Sequence, residues 1–244
     1  MTTHRFLPAL LDEASRPFRS GGHFAYHYAR GKLSSDCIFR ELLRRGLFAG
    51  ARRFLDLGCG QGSLFAWLLA AEKLHAQGNW PSDWPAPPQP LELRGFELMQ
   101  KDVDRAARAF GHDHPVVSIR QGDMCKVDFG QADVVSILDA LHYIDHMRQK
   151  DVLKRIRAAL PPGGIFLTRV GDAGAGLPYH LCNWVDHAVT FVRGHRLPQL
   201  YGRRLAEWVD ILRNLGFVVE TVPMSEGKPF ANIMLLCRVP QAGH

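Results

Sequence analysis

Phe54-Leu-Asp-Leu-Gly-Cys-Gly-Gln-Gly-Ser63 is the stretch of the 244-residue chain that decides its fold. The apolar run at residues 53–57 ends in glycines, which predicts a short buried strand. Residues 64–76 are apolar on every side and predict a helix that packs on a sheet. A glycine-rich turn between a strand and a helix is a common cradle for nucleotide ligands.

Strand-like and helix-like segments alternate after this turn. Strands are predicted at residues 91–98, 116–120, 132–138, 165–170, 217–222 and 232–238. Helices are predicted at residues 99–110, 145–160 and 203–215. The alternation predicts an α/β fold with a mainly parallel sheet and helices on both faces. The last two strands are joined without a helix, so we expect them to pair antiparallel.

Two segments fall outside this α/β pattern, which otherwise runs over residues 51–244. Residues 1–50 are predicted to form a helical cap, and residues 171–200 an inserted lid segment. Ligands in doubly wound folds bind beyond the carboxyl ends of the strands, and both segments are expected to cover that edge. The proline-rich stretch at 80–90 excludes helix and central strand, so a surface loop is expected there.

Composition narrows the class of protein. The chain is 46% hydrophobic and 22% charged, as in ordinary globular proteins. No apolar run approaches the roughly 20 residues that cross a bilayer, and the N-terminus lacks the pattern of a secretory signal. Five scattered cysteines, without a CxxC pair, fit a reducing compartment. We therefore expect a cytoplasmic protein with no membrane partner.

The net charge of +6 is confined to the N-terminal segment. Residues 1–53 hold ten Lys or Arg against four Asp or Glu, and the rest of the chain is balanced. The excess marks either a solvated helical face or a basic rim for an anionic or carrier-bound substrate. The basic residues are spread out, so nucleic acid is not expected as a partner. The oligomeric state is not predicted.

Asp56 distinguishes the glycine turn from a dinucleotide site. A dinucleotide fingerprint would have a third glycine at position 63, where the chain has Ser63. A diphosphate would also meet the carboxylate of Asp56, two residues before Gly58. S-adenosylmethionine carries an ammonium and a sulfonium and no phosphate, so a nearby carboxylate suits it. A plain strand-to-helix turn with a capping aspartate is the structural alternative.

Two further acids follow the next strands. Glu97 ends the second strand and can accept hydrogen bonds from both ribose hydroxyls, with Glu92 as a mid-strand rival. Asp123 follows the third strand, where its carboxylate can accept the adenine amino group while Met124 stacks on the ring. The prediction of an S-adenosylmethionine site rests on the order of the three acids along the chain, each at or after the end of a strand.

These motifs resemble those of the class I S-adenosylmethionine-dependent methyltransferases. The matching segments are Leu55–Gly62, Gly95–Leu98, Gly122–Met124, Ala132–Ser136 and Leu160–Gly164. The resemblance covers roughly residues 50–240 and implies a Rossmann-like, seven-stranded, mostly parallel sheet with one antiparallel strand. It also implies methyl transfer from S-adenosylmethionine to the oxygen or carbon of a small organic molecule, such as a phenol or an acyl-type intermediate.

The resemblance implies specific contacts in the cofactor site. Gly58 and Gly60 would line the methionine end, Glu97 the ribose and Asp123 the adenine amine. Arg30, or Lys32 beside it, can pair with the cofactor carboxylate or with an anionic substrate. The whole candidate cofactor site is Arg30, Asp56, Gly58, Cys59, Gly60, Gly62, Glu97, Leu98, Asp123, Met124 and Leu138.

Candidate catalytic residues follow the fourth strand. His142 is a candidate general base near neutral pH, and Asp139 can orient it or contact the cofactor. Both residues could instead only cap the next segment, because many such enzymes work by proximity alone. No metal is expected, since His23 and His27 share a helix face without a third ligand.

Candidate substrate residues lie in the two outlying segments and just beyond the fifth strand: Tyr26, His27, Arg169, Tyr179 and Trp184. Tyr179 and Trp184 could instead only pack within the lid.

Two other functions are possible alternatives. A nucleic-acid or protein methyltransferase is disfavoured because Leu138-Asp-Ala-Leu141 replaces the Asn/Asp-Pro-Pro-Tyr element of base-amine enzymes. A non-catalytic S-adenosylmethionine-binding domain is disfavoured because the glycines and acids are intact.

Overall fold

The computed structural model describes residues 3–173, 200–224 and 232–241. Tyr179 and Trp184, two of the candidate substrate residues, lie outside these ranges. The chain divides into two compact units, Met1–Asp128 and Phe129–His244. The cap boundary expected near residue 50 therefore stays a prediction.

Helices precede the first strand of the first unit, as predicted. They are α1 (Thr3–Ser15), a 3-10 turn (Arg16–Arg19), α2 (His23–Ser35) and α3 (Cys37–Arg44). The side chain of Asp36 caps α3 by accepting a hydrogen bond from the amide of Ile38 at 3.3 Å.

Three parallel strands follow, in the order β3-β2-β1. They are β1 (Arg53–Leu57), β2 (Glu92–Glu97) and β3 (Val117–Gln121). Helix α4 (Ser63–Ala76) follows β1, and α5 (Gln100–Phe110) follows β2. Helix α4 is buried on almost every side, as its uniformly apolar sequence predicts. The indole of Trp67 in α4 donates a hydrogen bond to the carbonyl of Phe39 at 2.8 Å, which ties α3 to this helix.

The proline-rich stretch contains no helix or strand, as predicted, and it is ordered by aromatic contacts. The rings of Trp80 and Trp84 pack edge-to-face on Phe6 of α1, with centroids 4.9 and 5.4 Å apart. Aromatic packing of this kind adds to the burial of apolar surface. The loop is therefore part of the packed first unit.

The second unit holds four strands in the order β4-β5-β7-β6. Its elements are β4 (Val134–Leu138), a 3-10 turn (Leu141–Tyr143), α6 (His146–Ala159), β5 (Ile165–Gly171), α7 (Leu205–Asn214), β6 (Val218–Pro223) and β7 (Asn232–Arg238). Strand β7 pairs antiparallel with both β5 and β6, whereas β4 and β5 are parallel. Asp145 caps α6 by accepting hydrogen bonds from the amides of Met147 and Arg148.

The sheet thus has the seven strands and the single reversed strand that the sequence predicted. Most element bounds differ from the predicted ones by a residue or two at the ends. Among the residues that the structure describes, no helix is long and apolar enough to cross a membrane.

Candidate functional site

The glycine turn after β1 is bound to the neighbouring strand β2. The amides of Gly58 and Cys59 donate to the carbonyl of Phe96 at 2.8 and 3.3 Å. Gly62 has a φ of 86°, and a Cβ there would lie 2.6 Å from the Ile119 side chain. Gly60 has a φ of 57°, but a Cβ there would meet nothing within 4 Å. Gly62 is therefore required by packing, whereas Gly60 borders open space.

Glu97 organises this turn from the end of β2. Its Oε2 accepts a hydrogen bond from the amide of Gly60 at 2.8 Å, and its Oε1 accepts one from Met99 at 2.9 Å. The side chain is buried, with Glu97 only 8% exposed. A carboxylate has about four lone-pair sites, so both oxygens retain capacity for another donor. Glu97 can hold the turn and two ligand hydroxyls together.

The turn lies in a negative field. Burial raises the pKa of the Cys59 thiol well above its ordinary value, and the nearby carboxylates of Asp56, Glu97 and Asp102 raise it further. Asp56 is buried at the end of β1. Asp102, which the sequence reading missed, lies in the first turn of α5 and pairs with Arg105 at 2.7 Å. This arrangement suits a cation and disfavours a diphosphate.

Asp123 lies just after β3, as predicted, and is partly exposed. Its Oδ1 accepts a hydrogen bond from the amide of Cys125 at 2.9 Å, and its Oδ2 lies 3.8 Å from the ammonium of Lys126. Leu98, after the end of β2, is 60% exposed, and Met124 is half-buried. The first unit therefore holds an accessible carboxylate and accessible apolar side chains that suit a flat, amine-bearing ring.

Asp139 and Arg169 form an ion pair in the second unit. The Nε of Arg169 donates to Asp139 Oδ1 at 2.6 Å, and its Nη2 donates to the other carboxylate oxygen. Asp139 follows β4 with a φ of 60°, which is rare for a residue other than glycine. Arg169 lies on the paired strand β5, where Leu138 is its register partner. The carboxylate of Asp139 is thus neutralised by a fixed partner.

His142 lies in the 3-10 turn between β4 and α6. Burial lowers its pKa to about 4, and the charge of Arg169 lowers it while that of Asp139 opposes the shift. The imidazole is therefore neutral throughout the physiological range. The sequence predicted a group that titrates near neutral pH, whereas burial in the folded protein lowers the proton affinity of the imidazole by more than two orders of magnitude.

Part of the chain is similar to known S-adenosylmethionine-related proteins. Residues 55–166 match the family model of the methyltransferase domain. A carboxy-S-adenosyl-L-methionine synthase from Chromohalobacter salexigens is 29% identical over 128 residues, or 52% of this chain. The chain spans 42% of the length of that curated relative.

Solved structures share the fold. An O-methyltransferase family protein from Burkholderia thailandensis superposes with a TM-score of 0.61 and 19% identity, covering 90% of this chain and 60% of the other. Magnesium protoporphyrin IX methyltransferase from Synechocystis, solved with bound S-adenosylhomocysteine, gives 0.56 and 17% identity and covers 92% of each chain. Residues 55–166, a little under half of the chain, thus resemble the methyltransferase domain family, and the solved structures share the fold of the whole described chain.

The N-terminal candidate residues lie together on α2. Arg30 forms an ion pair with Asp12 at 2.5 Å and also interacts with Tyr26, whose pKa is lowered by its hydrogen bond with Arg19. The exposed ring of His27 lies against that of His23, with centroids 4.1 Å apart. The guanidinium of Arg30 is already paired with the carboxylate of Asp12, so a role for Arg30 at the cofactor carboxylate stays a prediction.

Two buried glutamines, Gln61 and Gln149, were not predicted from the sequence. Gln61, in the glycine turn, donates to the carbonyl of Ala25 in α2 at 2.8 Å. Gln149 lies on the buried face of α6, three and four residues before Val152 and Leu153. A polar residue in an apolar helical stripe was the available signal for Gln149. Within the described residues, no group of three or more His, Cys, Asp or Glu is placed to hold a metal.

Proposed function

We propose that this chain transfers the methyl group of S-adenosylmethionine to a small organic molecule. The hydrogen bond between Glu97 and the amide of Gly60 carries the proposal, because it joins a ribose-binding carboxylate to the turn that borders open space. Bound S-adenosylmethionine would supply a methyl group activated by a sulfonium. The negative field of Asp56, Glu97 and Asp102 suits that positive ligand.

Each part of the cofactor has a fitting partner in the first unit. The two oxygens of Glu97 accept the ribose hydroxyls, and Asp123 accepts the adenine amine beside Leu98. Asp56 faces the cationic methionine end, where Gly58 and Gly60 let the ligand approach the backbone closely. The contacts of Gly58, Gly60, Glu97 and Asp123 are those that the family resemblance implies, and that of Asp56 follows from the charge of the ligand.

The second unit provides the candidate groups for the acceptor. The imidazole of His142 is neutral at physiological pH, so it can accept a proton from an acceptor hydroxyl, but the burial that lowers its pKa to about 4 also makes it a weaker base than an ordinary histidine. Arg169 holds Asp139 as a neutral pair, so Asp139 contributes orientation rather than proton transfer. The acceptor class we favour is a phenol or an acyl-type intermediate, free or held on an acidic carrier.

A small molecule is favoured over nucleic acid or protein as the acceptor. The residues after β4 are not the element that base-amine methyltransferases use, and Asp139 in their place is engaged by Arg169. Two similar proteins are named for small molecules, carboxy-S-adenosyl-L-methionine and magnesium protoporphyrin IX.

Binding and turnover test this proposal separately. Calorimetric titration with S-adenosylhomocysteine should show micromolar binding, and NAD should not bind. Methyl-labelled S-adenosylmethionine is then offered with phenols, carboxylic acids, amines, transfer RNA and a protein mixture. Label in the first two groups supports the proposal. Tight NAD binding, or label only in RNA or protein, would overturn it.

A further inference from the structure

Gln149 is fully buried near the start of α6, and its side chain bonds to two other segments, residues 141–144 and residues 201–203. Its Nε2 lies 3.1 Å from the carbonyls of Leu141 and Ile144 and 2.8 Å from that of Tyr201. Its Oε1 accepts a hydrogen bond from the Nε of Arg203 at 2.7 Å. Both ends of the amide are therefore satisfied away from water.

Arg203 extends these contacts to the ends of neighbouring elements. Its Nη2 donates to the carbonyl of His146 at 3.1 Å, and its own carbonyl accepts from Ala173 at 3.1 Å. Asp172, which pairs with Arg203 in a short β-bridge, accepts the amide of Leu205 at the start of α7. Gln149 and Arg203 together join the turn after β4, the start of α6, the end of β5 and the start of α7.

The turn that carries His142 is held on both sides by this network. Gln149 bonds to the carbonyls of Leu141 and Ile144, which flank His142, and the amide of Tyr201 donates to the carbonyl of His142 at 2.8 Å. A three-residue 3-10 turn has few hydrogen bonds of its own. Its conformation therefore depends on partners outside it.

Packing alone does not require a glutamine at this position. The other buried positions on this face of α6, including Val152, Leu153 and Ile156, are apolar. An apolar side chain of similar size would avoid the cost of burying an amide, which stays small only while every bond is made. What the amide adds is its hydrogen bonds to the His142 turn, to the carbonyl of Tyr201 and to Arg203.

We propose that Gln149 is a positioning residue for methyl transfer, fixing the turn that carries His142 without contacting the substrate. This inference rests on the proposed function of His142. Around the imidazole, the groups that act on it are the charges of Asp139 and Arg169 and the neighbouring ring of Tyr143. Loosening the turn exposes the imidazole to water and changes its distance from those groups.

Gln149→Met tests the proposal with Thr168→Val as its matched control. Methionine keeps the volume and removes every side-chain hydrogen bond of Gln149. Thr168 is equally buried in the second unit and donates to the carbonyl of Ile137 at 2.8 Å, away from the His142 turn. We expect Gln149→Met to lower kcat at least tenfold with unchanged affinity for S-adenosylhomocysteine. Thr168→Val should leave kcat unchanged.

A second readout needs no activity. Proton NMR should show the His142 ring titrating near 4 in the wild type and nearer 6.5 in Gln149→Met, while Thr168→Val keeps the low value. If the wild-type protein shows no turnover, the proposed function fails and this titration still tests the positioning role. Wild-type kcat and an unchanged His142 titration in Gln149→Met would overturn it.

Arg203→Lys serves if Gln149→Met does not fold. Lysine keeps the positive charge but lacks the fork that reaches both Gln149 and the carbonyl of His146. The same loss of kcat and the same shift in the His142 titration are expected. Wild-type values in a folded Arg203→Lys protein would contradict the proposal.

Discussion

The carboxylate of Glu97 and the amide of Gly60 form a 2.8 Å hydrogen bond across 37 residues of sequence. The second oxygen of Glu97 accepts the amide of Met99, so the carboxylate is fixed by two backbone donors. The glycine turn and the candidate ribose acceptor therefore form one preorganised element, and a change in Glu97 disturbs both.

Glu97→Gln should weaken binding of S-adenosylhomocysteine about 10- to 100-fold, since hydrogen bonds to charged groups contribute about 1.5–3 kcal/mol. The amide keeps the shape but turns one acceptor into a donor that faces a backbone N–H. Calorimetric titration measures the change. Glu92→Gln, on the same strand but paired with Arg94, is the matched control and should bind normally. Equal affinity in both variants would contradict the role of Glu97.

Gly60→Ala should remove cofactor binding while the protein stays folded. The added Cβ meets no protein atom within 4 Å, so it enters the space left for the ligand. Its backbone strain, about 1–2 kcal/mol for a left-handed residue, is shared by Gly50→Ala, where φ is 78° and the space is also open. The two variants should therefore melt at similar temperatures and differ only in affinity. If Gly60→Ala binds S-adenosylhomocysteine as Gly50→Ala does, the ligand does not approach Gly60.

The fold was predictable because its signals are local. Apolar runs that end in glycine, proline or a capping residue mark most strands and helices. The glycine turn at 58–62 located the first strand and the helix that follows it. The reversed strand followed from the missing helix between the last two strands. Glu97 was found for a similar reason, since residues that end parallel strands lie at one edge.

Contacts between distant residues were not predictable. The sequence suggested Arg30 or Lys32 as a partner for the cofactor carboxylate or an anionic substrate, and it did not reveal the ion pair that Arg30 forms with Asp12, 18 residues earlier. The sequence suggested that Asp139 orients His142 or contacts the cofactor, and it did not reveal the ion pair that Asp139 forms with Arg169 of the next strand. The sequence predicted that His142 titrates near neutral pH. Its pKa is lowered by burial, and burial of this side chain could not be predicted because it depends on how the whole chain packs.

The Asp139–Arg169 pair should show a coupling energy of about 1–3 kcal/mol in a double-mutant cycle. Arg169 is only 10% exposed and Asp139 31%, so removal of either leaves a partly buried charge. Urea unfolding of Arg169→Met, Asp139→Asn and the double variant measures the term. The cycle for Arg155 and Asp151, a pair on α6 whose aspartate is 63% exposed and whose nearest N and O atoms are 3.9 Å apart, should give less than about 0.5 kcal/mol. Equal coupling in the two cycles would show that the pair is an ordinary surface contact.

His142 should make the folded protein less stable as the pH falls from 6.5 to about 4. An unfolded chain protonates this imidazole near its ordinary pKa of 6.5, whereas the folded protein resists protonation until about 4. The folded pKa is depressed, so the neutral form is favoured, and above pH 6.5 neither state binds the proton. Each pKa unit corresponds to about 1.4 kcal/mol, so the loss between these limits reaches about 3 kcal/mol.

Urea unfolding of the wild type and His142→Gln at pH 7 and pH 5 isolates this contribution. The other histidines titrate in both proteins, so the difference between the two pH dependences belongs to His142. Glutamine takes up no proton, and the variant should therefore lose less stability than the wild type over this range. Equal losses of stability in both proteins would mean that the imidazole keeps its ordinary pKa in the folded state. His142 would then be a base that titrates near neutral pH, as the sequence predicted.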